Sequence, residues 1–134
     1  MLRQILTIVW LATAAAPVLA EPSPVALPGG AVLAIEGPGI AVQLTAVTDA
    51  RCPSTVSCVW EGTIRLVLTI NPGGTNAEQV VLCNACDDGA RSAVAAGQRF
   101  TLQRLVPPVG VIEALGRVAV VTDYTALVLI EPAG

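Results

Sequence analysis

Proline and glycine interrupt this chain so often that no apolar stretch at helical spacing grows into a long amphipathic helix. What lies between the interruptions alternates instead. Ile64, Leu66, Leu68 and Ile70 alternate with Arg65, Val67, Thr69 and Asn71, the period of a strand with one apolar face. Ala31 to Glu36 reads as a short strand, Gly37-Pro38-Gly39 as a turn, and Ile40, Val42, Leu44 and Ala46 as the inward face of a second strand. Asn71-Pro72-Gly73-Gly74 is a turn, and Gln79 to Leu82 is a further short strand. Arg99 to Val106 predicts a strand with Phe100 and Leu102 inside, ended by Pro107-Pro108. Val118 to Thr122 and Thr125 to Ile130 are dense in β-branched residues, with Asp123-Tyr124 between them as a bulge in one long strand. Ser92 to Ala96 reads as a helical turn or an irregular loop, and Val111 to Leu115 as a strand or a helical turn. About seven or eight short strands separated by turns predict an all-β fold, an antiparallel β-sandwich of Greek-key or immunoglobulin-like kind, stabilised by disulfides.

The first residues set the compartment. Met1 to Gln4 is a short basic start, Ile5 to Ala16 an apolar run, and Val18-Leu19-Ala20 a small-residue cleavage site, so residues 1–20 read as a secretory signal peptide. Pro17 breaks the run, which is shorter than the roughly 20 residues a membrane span needs. Position 21 is Glu21, not the cysteine of a lipid anchor. Residues 21–30, with Pro22, Pro24 and Pro28, read as an extended leader, and 31–134 as a single domain. No later stretch is long and apolar enough to span a bilayer, so the expected product is a soluble periplasmic or secreted protein.

Composition narrows the chemistry. After cleavage six arginines face ten acids, a formal charge of −4. With no lysine and only scattered arginines, the chain has no footprint for nucleic acid or an anionic membrane. Histidine is absent, which removes Ser-His-Asp and Cys-His arrangements, c-type haem attachment and every zinc site that uses histidine. Aromatic residues make up only 3% of the chain, so Val, Leu, Ile and Ala must build the core.

Four cysteines in an exported chain read first as two disulfides, for which three connectivities exist. Cys52 and Cys58 bracket Pro53 and small hydroxyl residues, a turn composition that a disulfide closes easily. Trp60 follows at strand spacing, where its indole would cover the Cys58 sulfur. Gly62 then relieves the crowding at a bulge or bend. This block, D-x-R-C-P, four residues, then C-x-W-x-G from Asp49 to Gly62, resembles a family of small secreted or lipid-anchored bacterial proteins. Gly97 to Pro107 is similar to that family's later G-x-x-x-x-L-x-x-L-x-P segment. The resemblance implies a secreted β-domain and carries no activity.

Cys83-Asn84-Ala85-Cys86-Asp87-Asp88-Gly89 is the second place where chemistry can lodge. As a redox C-x-x-C it lacks the βαβ setting, and Asp87 and Asp88 oppose thiolate formation. As half of a four-cysteine metal centre with Cys52 and Cys58, it would need that first pair to bind across an unusually long spacing. Asn84, Asp87 and Asp88 lack the alternation of a calcium loop and read as a solvated turn. Glu61 and Glu113 are the carboxylates available as an acid and base pair, with nothing in the sequence to bring them together. Ser54, Thr55 and Ser57 have no histidine or lysine to activate them. The expected function is therefore a non-catalytic binding or structural module without cofactor. Its partner would be another envelope or extracellular protein, held at a loop carrying Arg51, Ser54, Thr55, Trp60 and Glu61; the alternative is a thiol site at the four cysteines.

Overall fold

Alternating apolar residues bury one face of a strand, and two such faces placed together exclude water from both. The computed structural model describes residues 11–16, 22–87 and 89–134. Most of the expected signal peptide, its cleavage site at Ala20 and Asp88 lie outside the described residues. Among the described residues, eight strands form two antiparallel four-stranded sheets. One sheet runs in the order β2 (Val32–Ile35), β3 (Ile40–Arg51), β4 (Gly62–Ile70), β5 (Glu78–Asn84). The other runs β1 (Val25–Pro28), β8 (Thr125–Pro132), β7 (Gln98–Val106), β6 (Ser92–Ala95). The all-β antiparallel sandwich expected from sequence is what forms, and its connectivity is that of a meander without a Greek-key crossover. Neighbours within each sheet are consecutive in the chain except β1 and β8, which join its two ends.

Val42, Leu44, Leu66, Leu68, Ile70 and Leu82 of the first sheet meet Leu27, Phe100, Leu102, Ala126 and Val128 of the second. Each of these side chains is at most 1% exposed. Every large one stabilises the fold by about 1.5–3 kcal/mol through removal from water. Phe100, the only phenylalanine, is the largest of them.

The alternation changes phase once in each long central strand. In β3 the even positions Ile40, Val42 and Leu44 point inward, and then the register against β4 shifts between Leu44 and Ala46. Thr45 is the extra residue of this β-bulge, and its hydroxyl donates to the Val67 carbonyl oxygen at 3.0 Å. Beyond it the odd positions turn inward: Ala46 is exposed, contrary to the uninterrupted inward face predicted for it, while Val47 packs against the core. Asp49 and Arg51 follow Val47 on the inner face. A matching shift between Leu102 and Arg104 in β7 brings Leu105 inward.

Three further stretches differ from the sequence prediction. Residues 21–30, predicted as a leader, supply β1, whose Val25–Pro28 pair with Thr125–Val128 and bury Leu27. Ser92–Ala95 is a strand, held to β7 by its ladder and by a 2.8 Å contact between the Ser92 and Thr101 hydroxyls. Val118 to Thr122 is not a strand, nor is Asp123-Tyr124 a bulge. The Asp123 carboxylate accepts the Val120 N–H at 2.7 Å and hydrogen bonds from Nη1 and Nη2 of Arg117, each at 2.8 Å. Those bonds wind the chain into a 3₁₀ turn at Val121–Asp123. Of the two readings for Val111 to Leu115, the helical one holds: α1 spans Val109–Glu113 directly after Pro107-Pro108.

The bulge makes a testable inversion. Ala46→Lys is expected to change stability by no more than about 0.5 kcal/mol, whereas Val47→Lys is expected to cost at least about 2 kcal/mol, both read from urea denaturation. An unbroken strand would give the opposite ranking.

Candidate functional site

Three connections gather at one pole of the sandwich: residues 52–61 between β3 and β4, 85–91 between β5 and β6, and 107–124 between β7 and β8. Beneath them lies the polar cluster that the bulge in β3 creates. Asp49 and Arg51 stand two residues apart, and so share a face of the strand. Arg51 donates from Nε to Asp49 Oδ1 and from Nη2 to Oδ2, both at 2.8 Å. Its Nη1 reaches the opposite sheet, donating to the carbonyl oxygens of Leu105 at 3.3 Å and Pro107 at 3.0 Å. Tyr124, 5% exposed, donates its hydroxyl to Asp49 Oδ2 at 3.2 Å.

Burial alone would raise the Asp49 carboxyl. The Arg51 hydrogen bonds and charge, with the Tyr124 hydroxyl, outweigh it and hold the carboxyl below the usual carboxylate range. The Tyr124 phenol is pushed up, first by burial and then by the neighbouring Asp49 charge. Arg51 was expected to belong to an exposed recognition loop. It is instead an inter-sheet clamp, its side chain only 15% exposed.

The 52–61 loop is braced at several points. Cys52 and Cys58 are joined in a disulfide, and a ring of this size stabilises by about 2 kcal/mol in the chain-entropy model. The Cys52 N–H donates to the Glu61 carbonyl oxygen at 3.1 Å, closing the loop base. Ser54 then ties it to α1, since its N–H donates to Glu113 Oε1 at 3.1 Å and its hydroxyl to Oε2. Glu113 therefore meets Ser54 rather than acting with Glu61. Both carboxylate oxygens are occupied in joining two loops. Thr55, Ser57 and Glu61 are exposed.

Trp60 departs most from expectation. It was placed in a strand, covering the Cys58 sulfur, but the ladder starts only at Gly62. Gly62 has φ +83°, and a Cβ there would lie 2.2 Å from the Ala50 carbonyl oxygen. Only glycine permits this turn. The chain before it is thrown outward, leaving Val59 fully exposed and Trp60 78% exposed. Trp60 lines an open cleft of about 450 Å³ with Ala50, Gly62, Thr63, Ala85 and Asp87.

Cys83 and Cys86 form the second disulfide, so all four sulfurs are bonded in neighbouring pairs. Cys83 is buried on β5, and a turn, with Ala85 at φ +60°, replaces the helix N-terminus that a dithiol exchanger uses. Asn84 ends β5, and Asp87 is exposed. Among the described residues no group of three or more acids and cysteines is placed to hold a metal ion. Comparisons with protein-family models, curated protein sequences and solved structures find no match to this chain.

Asp49, Tyr124 and the Ser54–Glu113 pairing are not among the candidates that the sequence alone points to. The D-x-R spacing was a usable signal for the first, because i and i+2 share a strand face. The other two depend on contacts between segments 75 and 59 residues apart.

Two outcomes test the cluster. Arg51→Ala leaves a buried carboxylate without its partner and is expected to cost about 3 kcal/mol in chemical denaturation. Because the folded Asp49 carboxyl titrates below its unfolded value, its contribution is complete above about pH 4 and fades as pH falls through the folded value. The loss of stability between pH 5 and pH 3, both approximate settings, should accordingly be smaller in Asp49→Asn than in the parent.

Proposed function

We propose that this chain is an exported, non-catalytic module that binds another envelope or extracellular protein through its loop pole. The observation that carries this reading is the apolar surface displayed there. Val56, Val59 and Trp60 on one loop, and Val111, Leu115, Val118 and Val120 on the connection between β7 and β8, are all exposed. Apolar side chains clustered in water raise the free energy of the free protein and lower it again when a partner covers them. The Ser54–Glu113 strut joins the two segments, and the disulfide and the Gly62 turn hold the first of them. Less ordering entropy is then lost on binding.

The surrounding charge favours a protein over a lipid surface. Among the described residues, Glu61, Asp87 and Glu113 lie at this pole against one arginine without an acid partner, Arg91, while Arg51 is paired with Asp49 and Arg117 with Asp123. An acidic pole without lysine is repelled by anionic headgroups. Among the described residues no helix is long and apolar enough to cross a membrane. Two disulfides support an oxidising compartment for the folded protein.

A photo-crosslinking residue placed at Val59 is expected to give a discrete protein adduct in cells that make this chain. The same residue at Gln79, exposed on β5 and away from the loop pole, should not. Trp60→Ala should weaken the captured complex by about thirtyfold without altering the fold, as befits a central aromatic anchor. Equal adducts at both positions, or a lipid adduct at Val59, would remove the proposal.

A further inference from the structure

The clefts of this molecule differ in whether their polar groups are already committed. The groove under α1 contains Asp49 and Glu113, but the first is held by Arg51 and Tyr124 and the second by Ser54. At the opposite pole, a shallow cleft near the turn at 37–39 has Glu36 and Gln98 but no aromatic surface. The cleft beside Trp60 has both an aromatic wall and an uncommitted carboxylate. Asp87 is exposed and makes no hydrogen bond or ion pair among the described residues. Among the described residues, no basic side chain lines this cleft. Arg65 lies two residues beyond Thr63 on the same strand and has an interaction of its own.

The remaining walls, Ala50, Gly62, Thr63 and Ala85, are all small. They leave room beside the indole for a flat group and the alkyl stem that carries it. An indole face attracts cations through its quadrupole, and a carboxylate accepts two parallel N–H bonds from a planar fork. Guanidinium combines the cation, the plane and the fork, whereas an ammonium is a compact, strongly hydrated point charge. We propose that this cleft seats an arginine side chain of the partner protein, with its guanidinium stacked on Trp60 and hydrogen-bonded to Asp87. The seat rests on the loop pole being a protein-docking surface, and it specifies the chemistry of that partner.

The loop geometry fits this role. Trp60 is turned outward by a backbone conformation that only Gly62 permits, and the disulfide behind it limits the loop's alternatives. On the other wall, Ala85 and Asp87 flank Cys86, whose bond to Cys83 pins that turn to β5. Both walls are thus stapled to the same sheet.

The experiment uses the full chain carrying Trp10→Phe, which leaves Trp60 as its only tryptophan. N-acetyl-arginine amide and N-acetyl-lysine amide are titrated in turn while indole fluorescence is followed. The arginine compound is expected to give a saturable change, with the lysine compound at least about fivefold weaker. Asp87→Asn should weaken the arginine compound by about tenfold, with the circular dichroism of the sandwich unaltered. No saturable change with arginine, equal affinity for lysine, or an unaltered affinity in Asp87→Asn would each overturn the seat. The two proposals fail distinguishably: a protein adduct at Val59 without arginine binding leaves the docking pole and removes the seat, whereas arginine binding without that adduct removes the docking pole and leaves only a cleft that takes a free guanidinium.

Discussion

The geometry of the loop pole depends on the single extra residue at Thr45. A strand that kept strict alternation from Ile40 to Arg51 would carry Asp49 and Arg51 on its outer face. The bulge moves them inward, where neither charge can remain without partners. They satisfy each other at 2.8 Å, and the rest of their hydrogen bonding comes from the opposite sheet and the 107–124 connection, through Leu105, Pro107 and Tyr124. β7 accommodates this by changing phase at its own bulge, which turns Leu105 inward near the same place. Two sheets that meet mostly through apolar side chains are here joined by directional side-chain bonds.

Such a cluster is a weak source of net stability, because desolvating the charges offsets much of their attraction. Its effect is on geometry. An apolar interface permits small sliding between sheets, whereas a guanidinium held at four acceptor atoms fixes their separation and angle at the pole where the loops emerge. The disulfides, the Gly62 turn and the Ser54–Glu113 strut extend that fixed geometry to the loop surface. Valines and a tryptophan can then project into water with little freedom to collapse onto the protein.

Much of the fold was legible in the sequence because burial writes itself into strands with a period of two. Thr63 to Ile70 and Arg99 to Val106 show it most clearly, and both are central strands of the sandwich. The proline-rich segment was the reverse case. Val25 to Pro28 is too short for alternation to register, and it is a strand only because β8 offers it an edge. Ser92 to Ala95 is likewise made a strand by β7. Val118 to Thr122 has strand composition, yet a local carboxylate at Asp123 captures its backbone first.

The candidate site divides along the same line. The cysteine loop was recognised from turn composition, a local property that needs no knowledge of the rest of the chain. The orientation of Trp60 was misread because strand spacing was carried back across Gly62, and the close approach of Gly62 to Ala50 is visible only after β3 and β4 pair. By itself, the sequence determined an all-β, disulfide-bearing chain without the histidine or lysine that common catalytic sites require, since periodicity, cysteine spacing and composition are carried by near neighbours. Only the tertiary structure decided that Arg51 is a clamp, that Trp60 faces water and that Asp87 stands across a cleft from it. Those outcomes depend on which distant segments compete for the same hydrogen bonds and the same space.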